Sequence, residues 1–98
     1  MAPERRRKPR SPAQAALGQA VEQVLAERRV SQSALARRAG LDVRQVNALV
    51  RGQANPTYDT LRLVCGALAI PPSELMRRVE ALSAGAPGAG GDAMARGG

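Results

Sequence analysis

The stretch SQSALARRAGLDVRQVNALVRG, Ser31 to Gly52, decides the fold. Ser31 and Asp42 carry short oxygen-bearing side chains of the kind that cap helix N-termini by accepting a backbone N–H. Gln45 follows Asp42 by three positions and completes a capping box. Gly40 stands between the two segments, where a tight turn needs a residue that tolerates positive φ, and Gly52 closes the second. Gln32, Leu35, Ala36 and Ala39 fall on one face of the first helix. Two helices that cross steeply after so short a turn leave room only for a small side chain at the crossing, which Ala36 supplies. Leu35, Leu41, Val46 and Leu49 form an apolar wedge behind the pair. The outer face of the second helix is then Val43, Arg44, Asn47, Ala48 and Arg51.

Three more helical segments surround this unit. One opens at Ser11-Pro12-Ala13-Gln14, a capping-box pattern with proline at the first helical position. Leu17, Val21, Val24 and Leu25 follow at helical spacing, with Arg28 on the rim. The next has Thr57 as its cap and Leu61, Val64, Cys65 and Leu68 on one stripe. The last starts around Pro71-Pro72 and carries Leu75, Met76, Val79 and Leu82. No stretch alternates as a strand would. With no Phe or Trp and one Tyr, the core is expected to be Leu, Val and Ala, which suits close-packed short helices. The folded unit is read as residues 11–82. Residues 1–10 form a basic, proline-containing arm with Arg5, Arg6, Arg7, Lys8 and Arg10. Residues 83–98 are rich in Gly and Ala and bury too little apolar surface to offset the entropy of ordering.

Composition narrows the function. The chain has 98 residues, 15 Lys+Arg against 8 Asp+Glu, and a formal net charge of +7. All the basic residues but Lys8 are arginine, whose planar fork grips phosphate in a way an ammonium does not. A small basic domain makes nucleic acid the first partner to weigh. The chain has no histidine and a single cysteine, Cys65. That excludes an internal disulfide and histidine-based acid–base catalysis, and it leaves poor ligands for zinc. The Gly cluster near the C-terminus follows no strand and lacks the Lys-Ser/Thr of a phosphate loop. No apolar run approaches the ~20 residues of a membrane span. The charged start is followed by no apolar stretch of a signal peptide. The expectation is a cytoplasmic protein that is not an enzyme and needs no metal or cofactor. Cys65 is expected to be a core thiol, since it lies on an apolar stripe with no activating neighbour in view.

The pattern resembles the helix-turn-helix family of phage lambda repressor, Cro and the bacterial Xre-type regulators. Gln32 stands where that family has its Ser/Thr-Gln helix start. Ala36, Gly40 and Val46 sit at the family's spacing. Arg51-Gly52 followed by Asn55-Pro56 matches its closing turn, Leu61 to Ile70 its fourth helix, and Leu75 the anchor of its fifth. The resemblance spans about residues 13–82. One departure is Val50, where the family often has Glu: a polar contact is lost and apolar core is gained. The resemblance implies an all-α, compact five-helix DNA-binding domain with its helix-turn-helix at helices two and three. It further implies that helix three enters the major groove, about 12 Å wide, with Val43, Arg44 and Ala48 at base edges and Asn47 beside them. Arg44 near the helix start can bond guanine O6 and N7 together. Gln32, Arg51 and Asn55 are assigned to the phosphates, and Gln45 to both its cap and the DNA backbone. For Gln32, Gln45 and Asn47 the alternative is plain capping or solvation.

The basic arm resembles the flexible DNA-wrapping arm of lambda repressor, against the alternative of an idle or solubilising tail. Regulators of this kind bind as two-fold dimers on half-sites about 34 Å apart, and the four apolar residues Leu75, Met76, Val79 and Leu82 make helix five the expected dimer surface unless all four are core. No sensing domain is expected after the folded unit and no small-molecule ligand is evident, so regulation is expected to come from partners, abundance or modification. The reading is a sequence-specific regulator of transcription acting on double-stranded DNA, most simply a repressor. The alternative is an antitoxin or adaptor of the same fold that works through protein–protein contacts. The Gly/Ala-rich tail argues mildly against a partner-binding extension.

Overall fold

The computed structural model describes residues 11–84. Five helices follow in order: α1 (Pro12–Arg28), α2 (Gln32–Ala39), α3 (Val43–Val50), α4 (Tyr58–Leu68) and α5 (Pro72–Ala84). The expectations for the basic arm, Arg5 to Arg10, and for the C-terminal tail lie outside the described residues, except that α5 takes in Ser83 and Ala84. Helix starts follow the caps read from sequence. Ser11, Ser31, Asp42 and Thr57 each stand in extended backbone and accept from an N–H of the first turn. The capping box at Asp42 is complete: Gln45 Oε1 accepts the Asp42 N–H at 2.9 Å. The box expected at Ser11 forms by half. Ser11 Oγ accepts from the Gln14 N–H, but the Gln14 amide reaches across the fold and donates to Ala54 O at 2.9 Å. The other end of that amide stays local: Gln14 Oε1 accepts the Ser11 hydroxyl at 3.3 Å.

The first four helices all end in one way. A residue in the left-handed region is followed by one whose N–H returns to the carbonyl five residues back: Val30 to Leu25, Leu41 to Ala36, Gln53 to Ala48 and Ile70 to Cys65, at 2.8–3.1 Å. The left-handed residues are Arg29, Gly40, Gly52 and Ala69. This closure satisfies carbonyls that a helix end otherwise leaves unpaired. Two of the four positions lack glycine, which is why those helix ends carried no signal in the sequence.

Helix α1 is the centre of the packing. It lies along α5, touches α3 and α4, and α2 in turn packs on α3 and α4. Its buried residues are Ala16, Leu17, Gly18, Ala20, Val21, Val24 and Leu25, so it is covered on more than one side. The stripe of large residues was readable, but the small ones that let neighbours approach were not marked by periodicity. Gly18 is the tightest case. A Cβ there would meet the Val50 carbonyl oxygen in hard overlap and the Leu49 carbonyl oxygen at 2.7 Å. The end of α3 therefore rests directly on the α1 backbone. The remaining core is Leu35, Ala36, Ala39, Val46, Leu49, Val64, Cys65, Leu68, Ile70 and Leu75, with Leu41, Val50, Leu61, Val79 and Leu82 half-buried against it. Val50 thus joins the core where the family's Glu would be polar. Burial pushes the Cys65 thiol pKa up, as desolvation disfavours the thiolate. Arg78 ties α5 to α1: its guanidinium donates to both Glu27 oxygens at 2.8 Å and to Glu74 at 3.3 Å.

The structure corrects one expectation about α5. Leu75 is fully buried, 0% exposed, and cannot take part in a dimer surface. It belongs to the core cluster, whereas Met76, the next residue round the helix, is 40% exposed.

Candidate nucleic-acid interface

The inner side of α3 is fixed by burial: Val46 is wholly covered and Leu49 is 3% exposed. With 3.6 residues per turn, that orientation turns Val43, Arg44, Asn47 and Arg51 outward and leaves Ala48 at the edge. All four are exposed and Ala48 is half-buried. The Arg44 side chain is 89% exposed. The residues expected at base edges therefore share one protruding face.

Two flanks border this face. On one side Asn47 Nδ2 donates to Gln32 Oε1 at 3.1 Å, joining α3 to the first turn of α2. This bond accounts for part of what each amide does in the free protein. On the other side runs the α3–α4 loop with Asn55, which is exposed. A groove of about 470 Å³ separates α3 from this loop, with Arg44, Gln45 and Ala48 on one wall and Asn55, Pro56 and Thr57 on the other. The Gln14–Ala54 bond pins this loop to α1. Gln14 therefore acts on the site from outside it, and no local pattern in the sequence pointed to that role.

Charge is distributed to match. Glu22 and Glu27 lie on α1, Asp59 on α4, and Glu74 and Glu80 on α5. The acid at the α3 face is Asp42, which accepts from the Arg44 backbone N–H at 2.8 Å and pairs with its guanidinium. The backbone bond first and the guanidinium second hold the Asp42 carboxyl below the usual carboxylate range. Gln45 is held by its capping bond through Oε1. Among the described residues, no His, Cys, Asp or Glu side chains gather in a group of three or more that would hold a metal ion. Among them, too, no helix is long and apolar enough to cross a membrane.

A protruding short helix, tightly crossed behind and flanked by a helix start and a polar loop, matches a known family. The profile of the Cro/C1-type HTH DNA-binding domain matches residues 21–81. The chain belongs to this family. Among solved structures it is similar to the restriction-modification controller protein C.AhdI from Aeromonas hydrophila, at 32% identity and a TM-score of 0.62, over 63% of this chain and 94% of that one. The clp gene regulator ClgR from Corynebacterium glutamicum shares the fold at 24% identity and a TM-score of 0.73, over 86% of this chain and 87% of that one. The restriction-modification controller protein C.Esp1396I shares it at 18% identity and a TM-score of 0.69, over 74% of this chain and 94% of that one. No curated protein sequence matches the chain. As a Cro/C1-type domain the chain is a DNA-binding module whose helix-turn-helix is α2 and α3.

Proposed function

We propose that this protein is a sequence-specific regulator of transcription, a repressor in its simplest action, that reads the major groove of double-stranded DNA with α3. The observation that carries the proposal is the orientation of α3, with Leu49 sealed inward and Arg44 and Asn47 outward. In this reading Val43, Arg44 and Ala48 meet base edges. Arg44 supplies polar readout of guanine, worth roughly 1–3 kcal/mol of discrimination, and Val43 and Ala48 can meet thymine methyls. Gln32, Arg51 and Asn55 position the domain on phosphates, with Asn47 and the free amide end of Gln45 close by. The arm residues Arg5, Arg6, Arg7, Lys8 and Arg10 add affinity by counterion release. The chain acts in the cytoplasm on the nucleoid, by binding rather than catalysis. Two similar proteins are a restriction-modification controller and a gene regulator, which favours regulation over a purely protein-binding role. Two copies would associate through α5, around exposed Met76 with Val79 and Leu82 at its margin.

A gel-shift series over rising salt tests the proposal, using duplexes selected from a random pool and a scrambled control. The proposal predicts that the selected duplex stays bound at salt that strips the control. Equal loss of both duplexes would mean an adaptor with sequence-blind affinity.

A further inference from the structure

We propose that Asp42 is a positioning residue for base reading, holding the Arg44 guanidinium by its side edge so that its outer edge is presented to guanine. This rests on the reading of Arg44 given above. Arg44 Nε lies 3.4 Å from Asp42 Oδ1 and Arg44 Nη2 lies 3.4 Å from Oδ2, a parallel two-pronged approach. A guanidinium carries five N–H groups in a planar fork. Asp42 takes the Nε/Nη2 side, which leaves the Nη1/Nη2 side free to donate to two acceptors. Guanine offers such a pair, O6 and N7, in the major groove, while adenine offers one acceptor beside an amino donor. An arginine held by its side edge is matched to the first and mismatched to the second.

The carboxylate is a firm support because it is fixed independently of Arg44's side chain. Its Oδ1 caps the Arg44 backbone N–H at 2.8 Å, and its own N–H is held by Gln45 Oε1 at 2.9 Å. Both charges are exposed, Arg44 at 89% and Asp42 at 49%, so the pair contributes little to folding. It matters in the complex, where water is excluded and a swinging arginine would otherwise settle on a phosphate. The same carboxylate faces the phosphates with like charge, so it weakens binding to any duplex and favours the one that rewards an ordered Arg44.

The test uses the full 98-residue chain and variants Asp42→Ser and Asp42→Asn. Serine caps a helix as well as aspartate but is too short to reach the guanidinium, and asparagine keeps the cap and loses the charge. Duplexes from the random pool are compared with guanine or adenine at the position that Arg44→Ala makes indifferent. Asp42→Ser is expected to cut the preference for guanine about tenfold, within the range of one two-pronged contact. It should also bind scrambled duplex more tightly, with a salt slope steeper by about one ion. Asp42→Asn should fall between it and wild type. Unchanged thermal midpoints show that the cap is intact. If Asp42→Ser keeps the wild-type guanine preference, Asp42 is only a cap and the proposal is overturned. If Arg44→Ala leaves every position's preference intact, the base-reading role of Arg44 is wrong and the proposal falls with it.

Discussion

The same substitution at two glycines should have opposite effects. Gly18→Ala places a methyl group against the carbonyl oxygens of Leu49 and Val50, the former at 2.7 Å, with the Val50 carbonyl carbon at 2.9 Å. An ordinary carbon–oxygen contact is about 3.3–3.6 Å, so α1 and the end of α3 must part by more than half an ångström. The obstacle is backbone and has no rotamer to change. Overpacking of this kind costs about 1–3 kcal/mol, and the gap that opens along the α1–α3 contact forfeits a quarter to a half of its dispersion wells. Against this, replacing a helical glycine by alanine returns about 1 kcal/mol of helix propensity. The net expectation is a loss of about 2 kcal/mol. For a domain of this size that lowers the thermal midpoint by about 8–16 °C. Gly66 sits in α4 with nothing within 4 Å of where a methyl group would stand. Gly66→Ala therefore keeps the propensity gain alone, about 1 kcal/mol, and should raise the midpoint by about 4–8 °C. Thermal melts of wild type and both variants, followed by circular dichroism, give the comparison. A Gly18→Ala protein as stable as Gly66→Ala would refute the close approach of α1 and α3. Because that approach seats α3, Gly18→Ala should also weaken DNA binding without touching any residue of the interface.

Ala69 ends α4 at φ 59 without glycine's freedom; Ala69→Gly should raise stability by about 0.5–1 kcal/mol, since the left-handed strain relieved exceeds the added unfolded-state entropy, and an unchanged urea midpoint would deny that strain. The hydrogen bonds from Arg78 hold the Glu27 carboxyl below its ordinary value. That depressed pKa gives stability fully present above the unfolded value of about 4.3 and lost as pH falls through the lowered folded value. Urea midpoints of wild type and Glu27→Gln should accordingly converge as pH falls through that window, and a pH-independent difference would show that the ion pair adds nothing. Deleting residues 1–10 should lower affinity and flatten the salt slope of binding; an unchanged slope would mean an idle arm.

The helix-turn-helix was legible because each of its requirements falls on a distinctive residue type. Ser31 and Asp42 cap, Gly40 turns at φ 73, and Val46 and Leu49 fall on the buried side. Burial of those two fixes the outward face by helical geometry, so Val43, Arg44, Asn47 and Arg51 followed from the core. The features without a local signature are non-local or small. Gly18 reads as a weak helix residue until α3 is seen resting on it. Arg29 and Ala69 close helices in a conformation that glycine would have announced. Gln14 reads as half of a capping box, yet its amide holds the interface loop from 40 positions away. The apolar stripe of α5 mixes core and surface, because periodicity assigns a side of the helix but not the depth at which Leu75 ends and Met76 begins.

The central claim is that the outward face of α3, flanked by the start of α2 and the α3–α4 loop, is what touches the duplex. Backbone and side-chain amide shifts of the full chain, followed as a selected duplex is added, test it most directly. The account predicts that the largest changes fall on Val43, Arg44, Asn47 and Ala48, with Gln32 and Asn55 at the margins. Changes centred on the outer surfaces of α4 and α5, with α3 silent, would contradict it.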